Sequence, residues 1–162
     1  MSVRKILTLC VGMVLLSCGR EPDTTAKLYV PTVDHTKFAG KLVVYKHPNC
    51  GCCAAWVKHM ESNGFEVEVF EDENTNLIHK RFGVPKKLHA CHTATYGNLI
   101  IEGHVPAADL INLLKTPSAE AGLIAVPGMP VGSPGMETGE KPESYVTLIQ
   151  TKDGSIRSFK TH

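Results

Sequence analysis

An α/β fold is what this sequence predicts, and three observations predict it. A β-rich apolar run, Lys41 to Lys46, leads into the cysteine cluster Cys50-Gly51-Cys52-Cys53 and then into a helical pattern. Strand-like and helix-like stretches alternate from there. The 162 residues are enough for one domain with a proper hydrophobic core.

Taken in order, the chain opens on a short positive region, Arg4 and Lys5, followed by the apolar run Ile6 to Leu16. That run fits a secretory signal and is too short to span a bilayer. It ends Leu15-Leu16-Ser17-Cys18, which resembles a bacterial lipobox, where the cysteine is lipidated. An ordinary cleaved signal is the alternative. The expected organisation is a signal peptide over residues 1–17, a lipid-anchor tether over 18–39 and a folded domain over 40–162. Removing the signal takes away two basic residues and no acidic one, shifting the formal net charge from +1 to −1. With so even a balance, no long basic run and few aromatics, nothing points to nucleic acid.

Lys41 to Lys46 (KLVVYK) reads as a buried strand, broken by His47-Pro48-Asn49. From Cys53 the apolar positions Ala54, Ala55, Trp56, Val57 and Met60 follow a helical pattern that Gly64 stops. Phe65 to Glu71 alternates apolar and charged residues, as a strand does. Asn74 can cap a short helix through Arg81, ended by Gly83 and Pro85. Val84 to Ala94 reads as a loop carrying Cys91 and His92, and Tyr96 to Glu102 as a third strand. Pro106 opens a helix over Ala107 to Lys115. Residues 117–142 are Pro/Gly-rich with little periodicity, and Tyr145 to Gln150 with Ile156 to Phe159 reads as a final hairpin around Asp153-Gly154. This order, with a C-x-x-C at the first strand-to-helix turn, is that of a thioredoxin-like βαβ core carrying a Pro/Gly/Met-rich C-terminal extension.

Set at a helix N-terminus, Cys50, Cys52 and Cys53 face unpaired N–H groups and the positive end of the helix dipole, which favour thiolate. In a thioredoxin-like fold the loop bearing Cys91 lies beside the first, so four sulfurs are expected in one pocket. Four thiolates suit Zn(II), Cu(I) or an iron–sulfur cluster. A structural zinc site usually draws on two separated Cys pairs, whereas here the split is three and one. Adjacent thiolates bridge several Cu(I) ions more easily than they share one tetrahedral ion. Met129 and Met136, in PGMPVGSPGME, offer thioethers, soft ligands for Cu(I); equally, they can be apolar plugs pinning the loop. His92, adjacent to Cys91, is a further candidate ligand. His47 and His104 read equally well as surface or capping residues.

These residues resemble the CopG-type copper-resistance proteins, small exported proteins with a thioredoxin-like domain. The resemblance rests on Tyr45 through Trp56 (YKHPNCGCCAAW), Gly64-Phe65, Cys91 through Ala94 (CHTA), Glu102 through Ala107 (EGHVPA) and Gly122 through Glu137 (GLIAVPGMPVGSPGME). It spans about residues 41–150 and implies copper as the bound metal. It implies ligands at Cys50, Cys52, Cys53 and Cys91, joined by Met129 and Met136, and Cu(I)/Cu(II) interconversion serving efflux.

The expected protein is therefore an exported copper binder, a candidate copper oxidoreductase of the bacterial envelope. It faces the periplasm and touches the membrane only through a lipid at Cys18. Its partners would be copper ions and a copper efflux system or periplasmic copper chaperone. A thiol–disulfide oxidoreductase using Cys50 and Cys53 is the rival reading, and a zinc-stabilised binding module a third.

Overall fold

The computed structural model describes residues 40–116 and 120–162. The expected signal (1–17) and tether (18–39), with Cys18, lie outside them. Among the described residues no helix is long and apolar enough to cross a membrane.

Seven strands form one sheet. In chain order the elements are β1 (Leu42–Lys46), α1 (Gly51–Ser62), β2 (Val67–Glu71), α2 (Thr75–Phe82), a 3-10 turn at Lys86–Leu88, β3 (His92–Tyr96), β4 (Leu99–Gly103), α3 (Ala107–Leu114), β5 (Ala121–Val126), β6 (Val146–Thr151) and β7 (Ile156–Thr161). The spatial order is β2-β1-β3-β4-β5-β6-β7. β1 runs parallel to β2 and antiparallel to β3, and β4 returns antiparallel to β3. That is the expected thioredoxin-like core. β5 extends it parallel to β4, and the β6–β7 hairpin closes the far edge.

The helix ends follow the chemistry of their caps. The Asn74 side chain accepts the Leu77 N–H at 3.2 Å, and Gly83 ends α2. α1 is capped by Cys50, whose sulfur accepts the Cys53 N–H at 3.3 Å. The main core gathers Leu42, Val44, Trp56, Met60, Ile101, Leu110, Ile124 and Ile149 between the sheet and helices α1 and α3. A second cluster, Val84, Leu88, Leu123 and Ala125, covers the opposite face.

Two sequence expectations need correction. The single third strand over Tyr96 to Glu102 is really a hairpin: Gly97, at φ +57°, turns the chain between β3 and β4. Cys91-His92 accordingly stands at the mouth of a strand, and the expected loop over 84–94 ends earlier. The Pro/Gly-rich stretch also contains β5. Leu123 and Ala125 face one cluster and Ile124 and Val126 the other, so the strand is apolar on both faces and has no alternation to read.

Candidate metal centre

The site lies where β1 ends and β3 begins, two points held opposite each other by the Lys46–His92 register pair. Lys46 is buried and its ammonium donates to Glu71 Oε1 (2.7 Å) and to the carbonyls of His47 and Pro48 (3.3 Å each), which pins the turn before the cysteines. His47 is spent inside that turn, its Nδ1 accepting the Asn49 N–H at 3.1 Å.

The sulfurs of Cys50, Cys52, Cys53 and Cys91 all lie within 4.8 Å of one another. The two stretches of chain that carry them are thus brought together. Cys50 and Cys53 are joined as a disulfide, while Cys52 and Cys91 are free thiols. Cys52 Sγ stands 3.5 Å from Cys50 Sγ. The C-x-x-C therefore pairs across its own span and avoids the small rings that pairings with Cys52 would close. Cys91 is not on the helix, and burial, followed by the neighbouring Cys52, pushes its thiol up to about 12. In the metal-free chain that thiol keeps its proton, and a soft cation has to displace it.

Two imidazoles complete the wall. His92 Nδ1 is 3.3 Å and His104 Nε2 2.9 Å from Cys91 Sγ, and one donor atom from each of these three residues lies within 4.8 Å of the others. His104 Nδ1 is 2.7 Å from the Pro134 carbonyl. A carbonyl only accepts, so Nδ1 carries the proton and Nε2 presents its lone pair to the sulfur. This is the support a metal-binding imidazole needs. His92 packs on Trp56 with ring centroids 4.4 Å apart, and its buried Nε2 has no hydrogen-bond partner. Burial holds both imidazoles below their usual pKa, so both are neutral donors.

The Pro/Gly/Met segment covers this wall. Gly128 N–H donates to the His89 carbonyl at 3.1 Å, and Pro134 reaches His104. A Cβ on Gly135 would stand 2.7 Å from the Cys52 carbonyl and 2.8 Å from the Trp56 nitrogen. Met136 is partly buried in the segment; Met129 is half exposed.

Residues 88–136 match the model of a family described as a protein of unknown function, DUF411. That window carries Cys91, His92, His104, Met129 and Met136 but not the thiol trio. Two solved structures, both named copper resistance protein CopG, resemble the chain. Form 2 is 39% identical over 76% of this chain and 98% of its own, with a TM-score of 0.72. Form 1 is 39% identical over 75% and 96%, with a TM-score of 0.70. The chain belongs to the CopG family. No curated protein matches it. CopG membership bears out the resemblance seen in the sequence and supports the α/β assignment together with a copper-related role for the cysteine cluster.

One residue of this site, His104, reads from the sequence equally well as a surface or capping histidine, because nothing local links it to Cys91, thirteen residues away. Its signal was the Gly103-His104-Val105-Pro106 stretch: a polar residue in an apolar strand-to-helix passage, where an unpaired imidazole would be costly.

Proposed function

We propose that this CopG-family chain is an exported copper-resistance protein that takes up Cu(I), more than one ion, in the pocket of Cys50, Cys52, Cys53 and Cys91. The observation that carries the reading is the convergence of four sulfurs within 4.8 Å. Support comes from the neutral, pre-oriented His104 and from His92, whose Nδ1 lies 3.3 Å from Cys91 Sγ. The donor set is soft and favours Cu(I), and the imidazoles tolerate Cu(II); a site offering both suits interconversion before efflux. The names of the two solved relatives agree with such a role. Met129 and Met136 stand as thioether ligands contributed by the covering segment. In this reading the chain is tethered by a lipid at Cys18, faces the periplasm and hands copper to a chaperone or efflux system.

The residues divide the work. Once the disulfide is reduced, the thiols of Cys50, Cys52, Cys53 and Cys91 would release their protons to solvent and hold copper as thiolates. His104, held by Pro134, keeps its lone pair on the Cys91 side. The covering segment shields one side of the pocket through Pro134 and Gly135, while Cys50, Cys52 and Cys91 stay partly exposed. Loading the full sulfur set requires an external dithiol reductant, itself oxidised to a disulfide, to open the Cys50–Cys53 bond with two electrons and two protons. The same disulfide favours a second reading, dithiol exchange in which Cys50 attacks and Cys53 resolves.

One anaerobic experiment separates them. The reduced chain is titrated with Cu(I) against a chromogenic chelator, alongside Cys91→Ser. Copper binding predicts more than one ion per chain and a severe loss in Cys91→Ser, with reduction of a small disulfide substrate largely unchanged. A ratio that never passes one removes the multi-ion reading. Retention of full uptake by Cys91→Ser sinks the four-sulfur site.

A further inference from the structure

We infer that Glu102 is a positioning residue that fixes the Cys91–His92 pair, through one carboxylate that grips the chain on both sides of it. Glu102 sits near the end of β4 and is fully buried. Its Oε1 accepts the Ala90 N–H at 2.6 Å, and its Oε2 accepts the Thr93 hydroxyl at 2.6 Å. Ala90 and Thr93 are the residues immediately before and after Cys91-His92. The ring of His79, from α2, brings Nε2 to 3.0 Å of Oε1. Glu102 and Thr93 face each other in the β3–β4 register, and Glu102 lies two residues before His104. One side chain therefore ties the strand that presents Cys91 and His92 to the strand that leads to His104.

The residue type is what makes this a device. A carboxylate deep in a sheet is expensive unless its oxygens are engaged. An apolar residue would suit the strand Leu-Ile-Ile-Glu-Gly better, but it would leave the Ala90 N–H without its acceptor and the turn before Cys91 untied. Two divergent acceptors on one rigid plane match two donors set on either side of a ligand pair. The arrangement acts on the orientation of the Cys91 sulfur, whose 2.9 Å approach to His104 needs both strands in place. Partners of this kind, one step behind a metal ligand, commonly matter about 10–100-fold in metal affinity.

The consequence for copper rests on the function proposed above; the consequence for Cys91 itself does not. The test uses the full chain, reduced and metal-free, with folding verified by circular dichroism. Alkylation of each cysteine by iodoacetamide is followed by mass spectrometry, and Cu(I) affinity by chelator competition. Glu102→Leu should speed alkylation at Cys91 selectively over Cys52 and weaken Cu(I) binding about ten-fold or more. Glu102→Gln should restore both, because its carbonyl accepts from Ala90 while its amide donates to the Thr93 hydroxyl. Thr93→Val, which removes one of the two grips, should fall between. A folded Glu102→Leu with the parent's Cys91 reactivity, or with faster alkylation but the parent's copper affinity, overturns the inference. Should Glu102→Leu fail to fold, Thr93→Val indistinguishable from the parent in both measurements overturns it. If the parent itself binds no copper, the copper reading has failed, and the Cys91 reactivity series still decides whether Glu102 positions that thiol.

Discussion

Gly135 shows how closely single residues constrain the pocket. Its φ is +86°, and any Cβ would press on the Cys52 carbonyl and the Trp56 nitrogen, both backbone atoms of α1 that cannot step aside. Gly135→Ala should therefore cost about 1–3 kcal/mol and loosen the covering segment. The checks are the urea midpoint and Cu(I) retention against a chelator; a variant matching the parent in both would mean that the segment yields without consequence. At this scale the candidate site was only partly legible in the sequence. Cysteine density and the expected fold were enough to bring Cys91 to the trio. The roles of Glu102 and His104 were hidden because each depends on a partner placed by sheet register or by a distant loop, Thr93 in one case and Pro134 in the other. Half-exposed Met129 is equally unreadable from a run of residues, since exposure belongs to the folded segment.

The C-terminal hairpin is secured to α3 by a buried carboxylate rather than by apolar contact alone. Asp109 is fully buried; its Oδ2 accepts the Thr147 hydroxyl at 2.7 Å and lies 2.8 Å from His162 Nε2, while its Oδ1 accepts from Lys160 Nζ at 3.2 Å. Tyr145 stacks on His162 with centroids 4.5 Å apart. Asp109→Ala removes the buried acceptor shared by Thr147 and His162, which can still bond each other at 3.0 Å, and by half-exposed Lys160, which water can solvate; it should lower unfolding free energy by about 1–3 kcal/mol. Equilibrium urea unfolding checks it, with copper stoichiometry expected to stay at the parent value; an unchanged midpoint would show the hairpin to be held by packing. Elements with a one-sided pattern or a clear cap, such as β1, α1 and α2, were readable in advance. β5 was not, because burial on both faces erases alternation, and the β3–β4 turn was masked by apolar residues close on either side of Gly97-Asn98.

Over the whole molecule, buried ionisable groups set the pH response of the metal-free chain. Burial lowers the pKa of His59, His79, His92 and His104 below their ordinary value. An unfolded chain protonates these rings below about 6.5 while the folded chain keeps them neutral, so their contribution is present above that pH and lost as pH falls. Glu102 works in the opposite sense. Burial raises its carboxyl to about 7, so it favours the folded state at low pH and loses that contribution as pH rises from the ordinary carboxyl range toward 7. His92, fully buried and held well below its ordinary pKa, leads the rings, which act together against the one carboxyl. The urea midpoint of the reduced, metal-free chain should fall between about pH 7 and about pH 5.5, and a higher midpoint at the acid end would contradict this balance.

The stretch between β5 and β6 has both of its ends stitched into the same sheet while its middle rests on the thiol-bearing helix. A strap fastened at both ends cannot swing aside as a free tail can. In the proposed copper role, such a strap narrows the approach to sulfurs that stay partly exposed without sealing them, so its grip bears on how fast cargo comes and goes as well as on how tightly it is held.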